Sequence, residues 1–175
     1  MHIIFIHGTG GDSHDPFFDW TRKELEKLGH TTAAPNLPST MEPDRMGWIS
    51  GVMNEYSNDN KTVFIGRSLG GSLIPYLLEN DGVHAHAAIS IAAPITHLGW
   101  DNLKSFFDTS VDYKKAKASC EQFFHWYSDD DPHVPLEQGQ ELQTLLGGEY
   151  RVFKGYSHFY NQTFPEIIEV IENLP

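Results

Sequence analysis

Apolar positions along the chain follow two periods in alternation. Short runs rich in branched and aromatic residues lie at 2–6, 31–34, 61–65, 85–91, 121–127 and 149–153. Runs of this length, bounded by Gly, Pro or Asp, predict buried strands. Between them the spacing lengthens to the helical period. Asp15 and Pro16 read as an N-cap and first helical residue, Phe18, Thr21, Leu25 and Leu28 as one apolar face, and Gly29 as the stop. Further helices are predicted over 42–56, 69–79 and 136–146, the last closed by Gly147 and Gly148. Pro75 inside the 69–79 segment predicts a kink or an earlier end. "TFPE" at 163–166 reads as a capping box before a terminal helix carrying Phe164, Ile167, Ile168 and Ile171 on one face.

Strands alternating with helices predict a parallel sheet covered on both faces, with right-handed crossovers. No repeat or composition break divides the chain, so residues 1–175 are expected to form one domain. One stretch, 94–119 with Trp100, Phe106 and Phe107, is long for a connection and predicts a small cap or one wall of a site.

The sharpest local signal lies where the third strand meets the third helix. Gly66-Arg67-Ser68-Leu69-Gly70 fits G-x-S-x-G in the strand–turn–helix context that gives the pattern meaning. By chance it arises in roughly 0.06 of chains this long, and the context lowers that further. Glycines suit a turn in which backbone meets backbone. The serine is then held at the tip, beside free N–H groups at a helix start.

A serine hydroxyl needs a base, and the base an orienting acid. "YSDDDPHVP" follows the fifth strand and "GYSHF" the sixth, both at the strand edge where sites of open α/β sheets assemble. His158 is the natural base. Asp131 is the preferred acid, with Asp129 and Asp130 as adjacent competitors. "HGTGG" at 7–11 ends the first strand, and the amides of Thr9 and Leu69 are the expected oxyanion donors. His7 is read as a brace for this loop rather than a base.

With these residues in view the chain resembles a compact α/β-hydrolase, most similar to the family of YdeN-like proteins and retinoblastoma-binding protein nine. The resemblance runs nearly end to end: "HGTGG", the aromatics at 17–20, "PNLP" at 35–38, the "GRSLGG" elbow, "SDDDPHVP" and "SHF". It implies a Rossmann-like three-layer sandwich without a large lid domain and with sheet order 2-1-3-4-5-6. It also places Ser68, Asp131 and His158 at the family's triad positions. Arg67 stands where such elbows commonly carry His, and Ser157 where Gly commonly precedes the base. Arg67 is either an anchor for an anionic substrate or, preferably, the partner of an acidic neighbour behind the elbow.

Composition narrows the reading. The net charge of −12 and the lack of a basic run argue against nucleic acid as partner. Cys120 is the single cysteine, so no internal disulfide forms; it reads as a buried thiol. No apolar run reaches about 18 residues, no signal peptide is expected, and a cytoplasmic location is. His14, His84, His86, Asp12 and Asp15 are the best metal-ligand candidates, but no metal motif is present and no metal or other cofactor is expected. Four Trp, seven Tyr and eleven Phe exceed the needs of a small core, and Phe17, Trp20, Trp100 and Phe106 are the candidate pocket walls. The expected function is hydrolysis of small carboxylic esters, a small-molecule acyl substrate, with no protein partner identified. The alternatives are an amidase or aminopeptidase with the same triad, or a non-catalytic interaction module on the same fold. If a histidine is the base, kcat/KM rises through roughly pH 6 to 7.5. A pH–rate profile flat across that window excludes it.

Overall fold

The computed structural model describes residues 1–57 and 61–175. Six parallel strands, β1 (His2–Ile6), β2 (Thr31–Ala33), β3 (Thr62–Arg67), β4 (Ala85–Ile91), β5 (Cys120–Ser128) and β6 (Glu149–Phe153), form one sheet in the order β2-β1-β3-β4-β5-β6. The helices are α1 (Phe18–Lys27), α2 (Arg45–Met53), α3 (Leu69–Leu78), α4 (Tyr113–Ala118), α5 (Leu136–Leu146) and α6 (Pro165–Asn173). The sheet order and three layers are those the resemblance implies, and among the described residues there is no large lid domain.

Strand alternation sorts the core into two layers. Ile3, Phe5, Val63, Ile65, Ala87 and Ile89 face α1 and α6, meeting Phe18, Leu25, Ile167 and Ile171. Ile4, Ile6, Phe64 and Ala88 face the other way, toward Trp48, Leu73, Leu77, Ala116 and Leu142 of α2 to α5. The central strands are therefore apolar on both faces, as a covered parallel sheet requires. Most of the aromatic surplus is core: Phe153, Phe159 and Trp126 pack around Phe164 with ring centroids 5.3–5.4 Å from it.

Register brings the strand ends to one edge. Ile6 pairs with Gly66, Arg67 with Ile91, and Ser128 with Phe153. The loops after β1, β3, β4, β5 and β6 thus leave the sheet together. The connection after β1 runs to β2 on one side while β3 lies on the other, so β3 ends beside the topological switch point.

Several expected boundaries move. α1 starts at Phe18, not Pro16: Phe18 N–H bonds the Asp15 carbonyl, and the Asp15 side chain is engaged elsewhere. α2 is shorter than 42–56 because Asp44, whose carboxylate accepts from Gly47 N–H, caps it. α3 runs through Pro75 to Leu78, with every residue buried. The capping box at 163–166 does not form; Phe164 holds the cap position without a side-chain bond, and Glu166 accepts from the Tyr156 hydroxyl. Segment 94–119 folds into a 3-10 helix, Asp101–Phe107, followed by α4. Among the described residues no helix is long and apolar enough to cross a membrane.

His125 on β5 is fully buried. Its Nε2–H donates to Gly147 O at 2.9 Å, and Nδ1 finds no partner among the described residues. Burial lowers its pKa from 6.5 to about 4. The unfolded chain therefore takes up a proton below about pH 6.5 while the folded chain resists until about pH 4. Stability should fall as pH drops through that window, by about 3 kcal/mol in total. Urea unfolding at pH 7.5 and pH 4.5 measures this, and His125→Gln should flatten the slope.

Candidate active site

The elbow after β3 is forced into shape by backbone contact. A Cβ on Gly70 would lie 2.0 Å from Ile6 O, and one on Gly66 would lie 2.4 Å from the Gly70 carbonyl carbon. Only glycine permits α3 to start this close to β1 and β3. Ser68, between them, takes φ 54° and ψ −127°, a strained conformation for a residue with a side chain. Its N–H still bonds Ile91 O at 2.8 Å, and its carbonyl accepts from Gly71 and Ser72 at the first turn of α3.

Ser68 opens onto a cavity of about 260 Å³. Thr9, Leu69 and His158 share its wall with Ser68, so the residues expected to supply nucleophile, oxyanion donors and base lie around one space. Leu98, Trp100 and Leu103 reach it from segment 94–119. His133, Val134 and Tyr160 complete the apolar and aromatic side.

The loop after β5 divides three adjacent aspartates between two tasks. Asp131 Oδ2 accepts from His158 Nδ1 at 2.8 Å. Its Oδ1 takes the amides of His133 and Val134 at 2.8 and 3.1 Å. Burial would raise the Asp131 carboxyl, but the His158 hydrogen bond and charge, with those two amides, outweigh it and hold it below the usual range. Asp130 accepts from Ser128 Oγ at 2.7 Å and from Ser157 N–H at 2.8 Å. Asp129 accepts from Gly155 N–H at 3.0 Å. The two competitors thus hold the backbone of the histidine loop, while Asp131 reaches the ring.

Arg67 and Asp15 form a buried pair on the cavity wall. Arg67 Nε donates to Asp15 Oδ2 at 2.9 Å, and Nη2 to Asp15 Oδ1. Nη1 donates to the carbonyl of His158 at 3.3 Å, and the guanidinium lies 5.3 Å from the Tyr160 ring centroid. The preferred reading of Arg67, an acidic partner, matches this geometry; a free anion anchor does not.

His7 is buried behind the loop that carries Thr9. Leu37 N–H donates to its Nε2 at 3.0 Å, which leaves Nδ1–H to donate to Gly8 O at 2.9 Å. Burial lowers its pKa, in keeping with a neutral ring in that tautomer.

The residues expected as pocket walls lie in different places. Trp100 lines the cavity. Phe17 and Phe106 are fully buried instead: Phe17 packs on Phe18 and Phe164, and Phe106 on Trp48 and Tyr76. Trp20 lines a separate groove between α1 and α6. Residues 133 and 160 were missed, although each stands two positions from a predicted site residue, a proximity that could have found them. The metal-ligand candidates disperse: His14 meets Asp19 at 2.9 Å, His86 meets Glu121 at 2.8 Å, and Asp15 holds Arg67. Among the described residues no three such groups gather for a metal. Cys120 is buried, and burial pushes its thiol up to about 12.

Comparison with known proteins agrees with the fold and with the resemblance drawn from the motifs. The chain is 28% identical to serine hydrolase RBBP9 of Rattus norvegicus over 176 residues, covering 98% of this chain and 94% of that protein. The structure of YdeN from B. subtilis matches with a TM-score of 0.90 and 21% identity, covering 99% of this chain and 97% of that one. Est1E from Butyrivibrio proteoclasticus, solved with ferulic acid bound, matches with a TM-score of 0.77 and 16% identity, covering 98% and 86%. No family model matches the chain.

If His7 is a brace, His7→Leu strands the Leu37 N–H and the Gly8 carbonyl away from water. Denaturant unfolding should then show a loss of about 2 kcal/mol. A fold of unchanged stability with no turnover would instead make His7 a direct participant.

Proposed function

We propose that this chain, a serine hydrolase on the α/β-hydrolase fold, cleaves small carboxylic esters through an acyl-enzyme. One observation carries the reading: His158 is bonded at Nδ1 to Asp131 while it and Ser68 share one cavity wall. With Nδ1–H committed to the carboxylate, Nε2 is the nitrogen available to the serine.

The steps follow from those atoms. Ser68 Oγ adds to the ester carbonyl as His158 Nε2 takes its proton. The carbonyl becomes an oxyanion, accepted by the amides of Thr9 and Leu69. His158 returns the proton to the departing alkoxide, leaving an acyl-serine and an alcohol. Water then adds to the acyl group with His158 again as base, releasing the carboxylic acid and restoring Ser68. Asp131 keeps the ring in the Nε2-acceptor tautomer and stabilises the imidazolium. No cofactor enters these steps.

The cavity favours an ester over an amine-bearing substrate. Asp15 is the one carboxylate on its described wall, and Arg67 neutralises it. A substrate ammonium therefore has no free acidic partner there, and Leu98, Leu103 and Val134 suit a short apolar acyl chain. The size of the cavity, about 260 Å³, suits a small substrate.

Ser68→Ala should abolish hydrolysis of p-nitrophenyl acetate and labelling by a fluorophosphonate probe, with the melting temperature retained. A well-folded wild type that neither turns over the ester nor labels would favour a binding module on this fold.

A further inference from the structure

The loop that presents His158 is held in an unusual backbone shape. Ser157 and Phe159, on either side of it, both take positive φ, 50° and 56°, in a region that residues with side chains rarely occupy. Such a segment persists only when surrounding contacts determine it. On the N-terminal side those contacts are present: Asp129 holds Gly155 N–H and Asp130 holds Ser157 N–H. The imidazole itself is held by Asp131. On the C-terminal side the N–H of the peptide after His158 bonds Tyr156 O at 2.8 Å within the loop, and its carbonyl is held by a different element, the guanidinium of Arg67.

Arg67 is the residue immediately before Ser68, and its own place is set by the bidentate contact to Asp15. Its side chain is only 7% exposed and that of Asp15 4%. One planar cation thus ties three strand ends together: the loop after β1 through Asp15, the elbow after β3 through its own backbone, and the loop after β6 through the His158 carbonyl. A lysine offers a charge here, but not the fork that spans two acceptors on opposite sides.

We propose that Arg67, oriented by Asp15, is a positioning residue that fixes the backbone of His158 relative to the neighbouring Ser68, and so sets the spacing between proposed base and nucleophile. The inference rests on the serine-hydrolase reading above. It differs from a role in substrate anchoring, because both charges of the pair are spent on each other. It also differs from simple stabilisation, because the guanidinium contacts the base's own peptide.

Arg67→Lys, with its charge still opposite Asp15, is the first test, assayed with p-nitrophenyl acetate. Kcat should fall about 10-fold to 100-fold, the scale of a misplaced reacting group. KM should stay within about 3-fold, since uniform substrate binding is untouched. The rate of fluorophosphonate labelling at Ser68 should fall by the same factor as kcat. The double substitution Asp15→Asn with Arg67→Gln removes both charges without leaving either unpaired, and should show the same kcat loss if the lysine variant does not fold. Full kcat in either folded variant overturns the proposal, as does a raised KM with unchanged kcat, which would make Arg67 a substrate anchor. Ser68→Ala run in parallel separates the two levels. If wild type is active, Ser68→Ala inactive and the Arg67 variants fully active, only the positioning role fails. If wild type is inert to ester and probe alike, the hydrolase reading itself fails and this inference goes with it.

Discussion

At the start of α3 the backbone of Gly70 lies so close to β1 that a Cβ there would meet Ile6 O at 2.0 Å. Gly66 faces the same restriction against Gly70. This approach, available only where two residues lack side chains, turns the chain from strand to helix without an intervening loop. Ser68 is left at the apex with φ 54°, its N–H still in the sheet ladder and the helix start behind it. Gly8 continues the pattern, since a Cβ there would stand 2.8 Å from Ser68 Cβ. The placement of the proposed nucleophile beside the loop after β1 is therefore a steric consequence of three glycines, and the proposed oxyanion donors follow from it.

Charge organises what sterics bring near. The chain carries a net charge of −12, yet the ions around the cavity are satisfied internally. Asp15 is matched by Arg67, Asp131 by His158 and two amides, and Asp130 by a hydroxyl and an amide. A buried ion pair adds little net stability by itself, because desolvation offsets the attraction. Its value here is geometric. Bonds from Arg67 at the end of β3 and from the loop after β5 converge on the loop after β6, where two residues take positive φ, and the loop after β1 joins them through Asp15.

Where the sequence reading succeeded, the governing forces act between near neighbours. β4 at Ala85–Ile91, α5 at Leu136–Leu146 and β6 at Glu149–Phe153 have the bounds that the local pattern predicts, α5 stopping at the Gly147–Gly148 pair. Where it failed, a distant partner outbid the local preference. Asp15 next to Pro16 looks like a helix start, but its carboxylate is taken by Arg67, 52 residues on, and α1 begins later. Phe17 and Phe106 looked like spare aromatics, but each fills a place in the core that opens only when helices from elsewhere in the chain pack against the sheet.

By itself, then, the amino-acid order determined the alternation of strands and helices, the glycine-bounded serine and the two later motifs at strand ends, because period, turn chemistry and backbone sterics are local. It preferred Asp131 to Asp129 and Asp130 only by its place ahead of the next helix, since the three adjacent residues share the same chemistry. Tertiary structure supplies the directions: the turn after β5 sends one carboxylate toward the ring of His158 and two toward the backbone of its loop. It likewise puts Trp100 on the cavity border and buries Phe17 and Phe106, and it identifies the acidic partner of Arg67 as Asp15. Each of these outcomes depends on contacts between segments far apart along the chain, whose directions are set only when the sheet and its helices pack together.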